Sequence, residues 1–276
     1  MSTPPAPTQA TDQPVLTTID ARGIATITLN RPEVNNAYDG AMIDGLLKAG
    51  PILAADPRVR IILIRGNGKH FQAGADLQWI RSIPRDDADA NLAVSHATSL
   101  ALRQLNEVGK PTIALVHGAC IGGGTGILAS CDIVIAEKSA YFAISEARWG
   151  LTAAVIFPQL NAAIGIRQVR RYALSCERFD STRAREIGLA HEVCEPGALD
   201  ATAAPIIEGL LSAAPDSIGR TKLGAMRCAG TLATDEEFAR LVAEHAGKRQ
   251  SDEAREGLAS FDEKRKPSWY GQVDPR

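Results

Sequence analysis

Residues 118–132 read GACIGGGTGILASCD, five glycines in fifteen positions with no charge before Asp132. Three readings compete: a membrane segment, a tight turn packed for its own sake, or a backbone shaped to let something approach closely. The uncharged run from Thr112 to Cys131 has the length to cross a bilayer. The Gly122–Gly124 triplet and the embedded His117 make it a poor lipid-facing helix. A buried strand, TIALVHG, followed by a turn and a new helix accounts for it better.

Moving outward, PVLTTID and IATITLN flank ARG, the pattern of a hairpin turning at Gly23. AYDGAMIDGLLKAGPILAAD sets Met42, Ile43, Leu46 and Leu47 at helical spacing, and Ile52 and Leu53 continue it past Pro51. RIILIRG is a continuous apolar run, as expected of a strand covered on both faces. After the loop GNGKHFQAGADL, the spacing predicts a helix with Ala97, Ala101, Leu105 and Val108 on its buried face, ending before Pro111. CDIVIAE and AYFAIS complete the strands, and helical patterns dominate from about Ile156. Strands separated by helix-length segments predict an α/β fold with crossovers on parallel sheets. TDEEFARLV opens on a capping-box pattern, Thr234 and Glu237, with Phe238, Leu241 and Val242 behind it. A last helix begins at Ser251, ends on Lys264, Arg265 and Lys266, and stops at Pro267, a charge order that suits its dipole.

Bulk properties narrow the function. With 276 residues, 22% charged and a net charge of −2, the chain has no basic surplus for phosphate backbones or anionic membranes, so neither partner is expected. Cys120, Cys131, Cys176, Cys194 and Cys228 are scattered without metal-ligand spacing, so no metal is expected and a reduced, cytoplasmic setting is. MSTPPAPTQATDQ, residues 1–13, reads as a disordered tail and not as a targeting segment.

Two glycine-bearing turns, HFQAGADL (70–77) and GACIGGGTG (118–126), each follow a strand. Small residues let main-chain N–H groups reach a ligand atom, and a helix starting at Gly123 or Gly124 leaves its first N–H groups free. Two such groups converging on one oxygen would make an oxyanion hole. Neither turn is a dinucleotide fingerprint, and the P-loop and nucleophile-elbow patterns are missing. Taken singly, each turn is as consistent with packing as with function.

Together the blocks LNRPEVNNAYD (29–39), FQAGADL (71–77), VHGACIGGGTG (116–126), CDIVIA (131–136), FAISEARWGL (142–151) and REIGLAHEV (185–193) resemble the crotonase, or enoyl-CoA hydratase/isomerase, superfamily. The likeness runs from about residue 15 to 266. It implies a spiral of ββα units over residues 14–200 and a C-terminal helical region, 201–276, that assembles trimers or dimers of trimers. It implies an acyl-CoA thioester as substrate, with no cofactor beyond the coenzyme A that the substrate carries. The N–H groups of Ala75 and Gly123 would hold the thioester oxygen. The CoA would run along Asn35–Ala37 and along Ala73, Gly74, Asp76 and Leu77, with Lys69 near its phosphates. Gly122 and Gly126 would border the substrate, while Trp149 and Arg148 would shape the acyl end. Phe261 and Lys264 resemble a terminal-helix pair that reaches the CoA of a neighbouring subunit.

One departure matters. Hydratases of the superfamily carry two glutamates; here Gly126 stands at the first position and Glu146 at the second. Asp132 lies six residues past Gly126 and reads as structural. His117 reads as a satisfied core histidine and His70 as an exposed loop residue. One carboxylate suffices for a 1,3-proton shift, and one can serve hydration by taking a proton from water and returning it to carbon. LTAAVIFPQL (151–160) resembles the methylglutaconyl- and isohexenylglutaconyl-CoA hydratase branch, which favours a hydratase acting on a branched or carboxylated enoyl-CoA. An isomerase using the same glutamate and a non-catalytic CoA-binding protein are the alternatives.

Overall fold

In the computed structural model, which describes residues 13–213, 215–229 and 234–265, strands β1 (Val15–Ile19) and β2 (Ile24–Leu29) form the expected antiparallel hairpin. Gly23 turns it with φ +81°, and a Cβ there would meet the Arg58 carbonyl oxygen at 2.2 Å, so no other residue fits. Residues 1–12 of the expected tail lie outside the described residues.

Helix α1 (Gly40–Ala55), capped by the Asp39 side chain, leads to β3 (Ile61–Gly66). Helices α2 (Leu77–Ser82) and α3 (Ala88–Glu107) follow, then β4 (Thr112–Val116), β5 (Ala119–Ile121), α4 (Gly123–Ala129), β6 (Ile133–Glu137) and β7 (Tyr141–Ala143). The main sheet runs β1-β2-β3-β4-β6 and closes with β9 (Glu192–Cys194); every pairing after the hairpin is parallel. A smaller sheet joins β5 and β7 to β8 (Phe179–Asp180).

The continuous apolar runs have a direct physical cause. In β3, Ile62 and Ile64 enter one core cluster, together with Phe142 and Phe179 of the smaller sheet. Ile61 and Leu63 enter the opposite one, with Ala203 and Ile207 of the helix that covers that face. Each fully buried aliphatic side chain contributes about 1.5–3 kcal/mol, so neither face tolerates a polar residue.

The C-terminal half is helical: α5 (Phe157–Ser175), α6 (Ser181–Glu186), α7 (Leu199–Ser212), α8 (Pro215–Ala229), α9 (Asp235–Arg249) and α10 (Asp252–Asp262). Ser251 caps α10 as expected, accepting from the Ala254 N–H at 3.1 Å. Lys266, Pro267 and the side chains of Cys228, Glu237 and Leu241 lie outside the described residues. Two short strands, β8 and β9, interrupt the helices and escaped the periodicity reading, because two or three residues show no period. No described helix is long and apolar enough to cross a membrane; the run 112–131 divides into β4, β5 and α4.

The buried face of α3 differs from expectation. Ala101 and Val108 are buried, but Ala97 and Leu105 are only half-buried, and Asn91, Ser95, Thr98, Ser99 and Leu102 take the inner positions. α3 packs against both α1 and α9, and close helix approach on two sides selects small side chains. Two of these are satisfied locally: Asn91 donates to the Pro84 and Asp87 carbonyls and Thr98 to that of Val94, all at 2.8 Å.

Asp132 is structural, as expected. Its Oδ2 accepts from the Thr112 N–H at 2.8 Å, the Thr112 hydroxyl at 2.9 Å and the Lys222 ammonium at 2.9 Å, tying α8 to the sheet. The Lys222 side chain is only 7% exposed. Asp132→Ala strands that ammonium without a counter-charge and is expected to destabilise the fold by about 3 kcal/mol, a fall in Tm of roughly 5–10 °C by calorimetry. An unchanged Tm would remove the clasp from the stability account.

Candidate active site

The two glycine turns are stitched side by side. Gln72 of the first donates its N–H to the Ala119 carbonyl at 3.0 Å and accepts from the Ile121 N–H at 2.9 Å. Upstream, Asn36 is fully buried, donating to the Asn67 and His70 carbonyls and accepting from the Arg31 N–H, all at 2.8 Å. This anchors NNAYD against the first turn. The Tyr38 N–H then donates to the Gly74 carbonyl at 2.9 Å, and the Asp76 N–H to the Tyr38 carbonyl at 2.8 Å. Successive residues of an extended chain point their N–H groups to opposite sides, so Ala75 between them turns its own N–H away from Tyr38. Among the described residues the Ala75 N–H has no protein acceptor.

The second turn completes the arrangement. Gly122, at φ +54°, donates to the Ala143 carbonyl at 2.8 Å, and α4 begins at Gly123. As the first helical residue, Gly123 has no intrahelical acceptor, and its N–H too lacks a partner among the described residues. The triplet must be glycine for steric reasons. A Cβ on Gly123 would meet Tyr38 Cε1 at 2.6 Å, and one on Gly122 would meet Glu146 Oε1 at 3.0 Å.

Glu146 opens a 3-10 turn, Glu146–Trp149, directly after β7. Its Oε2 is shut off from solvent and has no hydrogen-bond partner among the described residues. Burial pushes its carboxyl up to about 7, opposed in part by the main-chain N–H groups of Glu146 and Ser145. Burial likewise pushes the Tyr38 phenol up to about 12, with Glu146 adding to the rise and Arg249 opposing it. Tyr38 is therefore a neutral hydrogen-bond donor at physiological pH.

These groups share one cavity of about 520 Å³. Of the residues singled out in the sequence, Ala75, Gly123 and Glu146 line it, as do Ala37, Ala73, Gly74, Asp76 and Leu77. Gly122, Arg148, Trp149 and Phe261 complete the set. The C-terminal helix that closes the cavity belongs to the same chain: Phe261 meets Trp149 edge to face at 5.1 Å, and Gly257 lies against the Trp149 backbone.

Asn35, Lys69 and Lys264 are not among the lining residues. Gly126 corrects the expectation more sharply. It does not border the cavity but faces a hydrocarbon wall, since a Cβ there would meet Ile156 Cγ2 at 2.3 Å. The histidines are corrected as well. His117 is satisfied, its Nε2 at 2.9 Å from the Gly68 carbonyl, but it is half-exposed and not core. His70 is half-buried and accepts from the Ala119 N–H at 3.0 Å, so it joins the two turns.

The sequence model of the enoyl-CoA hydratase/isomerase family matches residues 20–272. The chain belongs to that family. A mevalonyl-coenzyme A hydratase, sidH, of Aspergillus fumigatus is 32% identical over 89% of this chain and 91% of its own length. A trans-2-decenoyl-(acyl-carrier-protein) isomerase of Streptococcus mutans is 30% identical over 91% of this chain and 95% of its own. The crystal structure of an enoyl-CoA hydratase from Shewanella pealeana superposes with a TM-score of 0.75 at 36% identity, covering 93% of this chain and 96% of that one. The fold is the crotonase fold.

Tyr38, Thr152 and Arg249 also line the cavity. The sequence reading passed over all three. Tyr38 sits inside a quoted block, but Arg249 ends a helix far along the chain, and no local pattern connects it to the glycine turns.

Proposed function

We propose that the chain is an enoyl-CoA hydratase in which Glu146 is the single acid/base group and the N–H groups of Ala75 and Gly123 form the oxyanion hole. The observation that carries this reading is the Glu146 carboxyl, with its Oε2 closed off and unpartnered among the described residues, in the cavity that those two N–H groups border. The ionised carboxylate takes a proton from water as the oxygen adds to C3 of the enoyl thioester. The C2–C3 π electrons move toward the thioester carbonyl, whose developing negative charge the two N–H groups accept. The proton held on Glu146 then passes to C2, so water has been added and the enzyme is restored. No redox or metal chemistry is required by this sequence.

The reading includes a homo-oligomer, a trimer or dimer of trimers, which the apolar Ile166 and Leu174 left exposed on α5 favour, and a cytoplasmic setting, which the scattered, unpaired cysteines favour.

The isomerase reading rests on the same lone carboxylate and on the isomerases among the relatives. Absorbance separates the two. Hydration of a 2-enoyl-CoA removes the conjugated enoyl band, and isomerisation of a 3-enoyl-CoA creates it. Loss of the band with 2-enoyl substrates is expected; gain of it with 3-enoyl substrates, and no change with 2-enoyl ones, would overturn the hydratase reading.

A further inference from the structure

The cavity holds a charge that the proposed chemistry does not use. Arg249, the last residue of α9, lines it, and its Nε and Nη2 are closed off from solvent without an acceptor among the described residues. Its guanidinium lies over an aromatic ring, with Cζ 5.5 Å from the centre of the Trp79 ring. Trp79 in turn meets Tyr38 edge to face at 6.0 Å. Burial opposes the charged guanidinium, yet arginine stays protonated, so the cation stands partly desolvated, with no counter-charge among the described residues.

Other arginines around the cavity are accounted for. Arg81 pairs with Asp262 at 2.7 Å, Arg148 donates to the Cys176 carbonyl at 3.1 Å, and Arg178 lies over the Tyr141 ring at 5.0 Å. The carboxylates are accounted for too. Asp76 pairs with Arg31 at 3.1 Å, and Glu146 is not drawn down by Arg249. Among the described arginines lining the cavity, Arg249 alone has buried side-chain nitrogens with no acceptor. Arg148, expected to shape the acyl end, lines the cavity but is exposed; the buried, unpaired guanidinium nitrogens are those of Arg249.

We infer that Arg249, packed over Trp79 and through it next to Tyr38, is an anion subsite that takes a terminal carboxylate on the acyl chain of the substrate. A guanidinium presents a planar fork matched to a carboxylate. A CoA phosphate is the other source of such an anion. The acyl source is favoured because Trp79 links Arg249 to Tyr38, whose ring lies against Gly123, next to the Gly122 that faces Glu146, so the cation lies on the oxyanion-hole side of the cavity. Thr152 Oγ1, buried without a partner in the same cavity, supplies a further donor for a polar acyl end.

This inference rests on the hydratase reading, and its test keeps the two apart. The full-length protein is assayed with 2-enoyl-CoA esters carrying a carboxylate one to three methylene groups beyond the double bond. Each is compared with its neutral isostere, in which an isopropyl group replaces the carboxylate. The best carboxylated member is expected to exceed its isostere in kcat/KM by about 10²-fold or more, since a site built for a polar group discriminates strongly against its absence. Arg249→Met is expected to bring that ratio to about one or below, and Arg249→Lys to retain part of it.

If wild-type protein hydrates the neutral esters as well as the carboxylated ones at every length, the anion subsite is wrong and the hydratase stands. If Arg249→Met weakens both members of a pair equally, the anion is a CoA phosphate and the acyl assignment falls. If no ester is hydrated, the hydratase reading fails, and calorimetric binding of the carboxylated ester against its isostere still decides the subsite. The wild-type series needs no variant to fold.

Discussion

Glu146→Gln is expected to lower kcat by about 10³-fold while the dissociation constant of an unreactive acyl-CoA thioester changes less than about threefold. The amide keeps the shape of the carboxyl but can neither take a proton from water nor return one to carbon. Because the carboxyl is pushed up to about 7, wild-type kcat/KM should fall with acid below about pH 7, where the base is protonated, and level off above it. Linkage gives a second, independent readout. The folded form holds its proton up to about pH 7, whereas the unfolded carboxyl releases it near the ordinary 4.5. Stability from this group is therefore complete below 4.5 and is lost as pH rises toward 7, by at most about 3 kcal/mol. Glutamine escapes that loss. The variant should melt above the wild type at pH 8, and its advantage should shrink toward pH 5. Retained turnover, or a variant less stable than wild type at pH 8, would take Glu146 out of the mechanism as described.

Such a trade of stability for chemistry is hard to read from a sequence, and the case of this chain shows where legibility ends. The strands were legible because burial on two faces leaves long apolar runs: each of the four aliphatic residues of RIILIRG has its own core to enter. The glycine turns were legible because Gly122 and Gly123 leave room for Glu146 and Tyr38, a constraint that excludes every side chain and so marks the sequence. β8 and β9 were not, being shorter than one period of any pattern. The inner face of α3 was misread because close packing on two sides chose Ser and Thr over larger apolar residues, reversing the polarity rule. Arg249 and Tyr38 were missed for a different reason. Their significance lies in partners they lack, Arg249 an acceptor and Tyr38 an ordinary aqueous setting, and an absent partner leaves no mark in the letters.

Restoring the glutamate that the resemblance places at position 126 is expected to unfold the protein, not to improve it. In Gly126→Glu the new Cβ would stand 2.3 Å from Ile156 Cγ2, 3.0 Å from Ile156 Cβ and 3.3 Å from Leu102 Cδ1. Overpacking of this kind costs about 1–3 kcal/mol, and a carboxylate forced among aliphatic side chains without a partner adds several more. A loss of roughly 10 °C or more in Tm, or of soluble protein altogether, should follow. Ile156→Ala removes the methyl responsible for the shortest contact, so Gly126→Glu with Ile156→Ala is expected to regain folded protein that the single variant lacks. That rescue identifies the contact, not the charge alone, as the barrier. Ile156 also lines the cavity, so the hydrocarbon that excludes a second glutamate is part of the wall around the first. A low-dielectric wall is what keeps the Glu146 carboxyl near neutrality, where one group serves in turn as base and acid. The missing glutamate and the raised carboxyl therefore share one cause. If Gly126→Glu folds with an unchanged Tm and turns over faster than wild type, the wall does not have this function and a two-carboxylate mechanism fits the cavity after all.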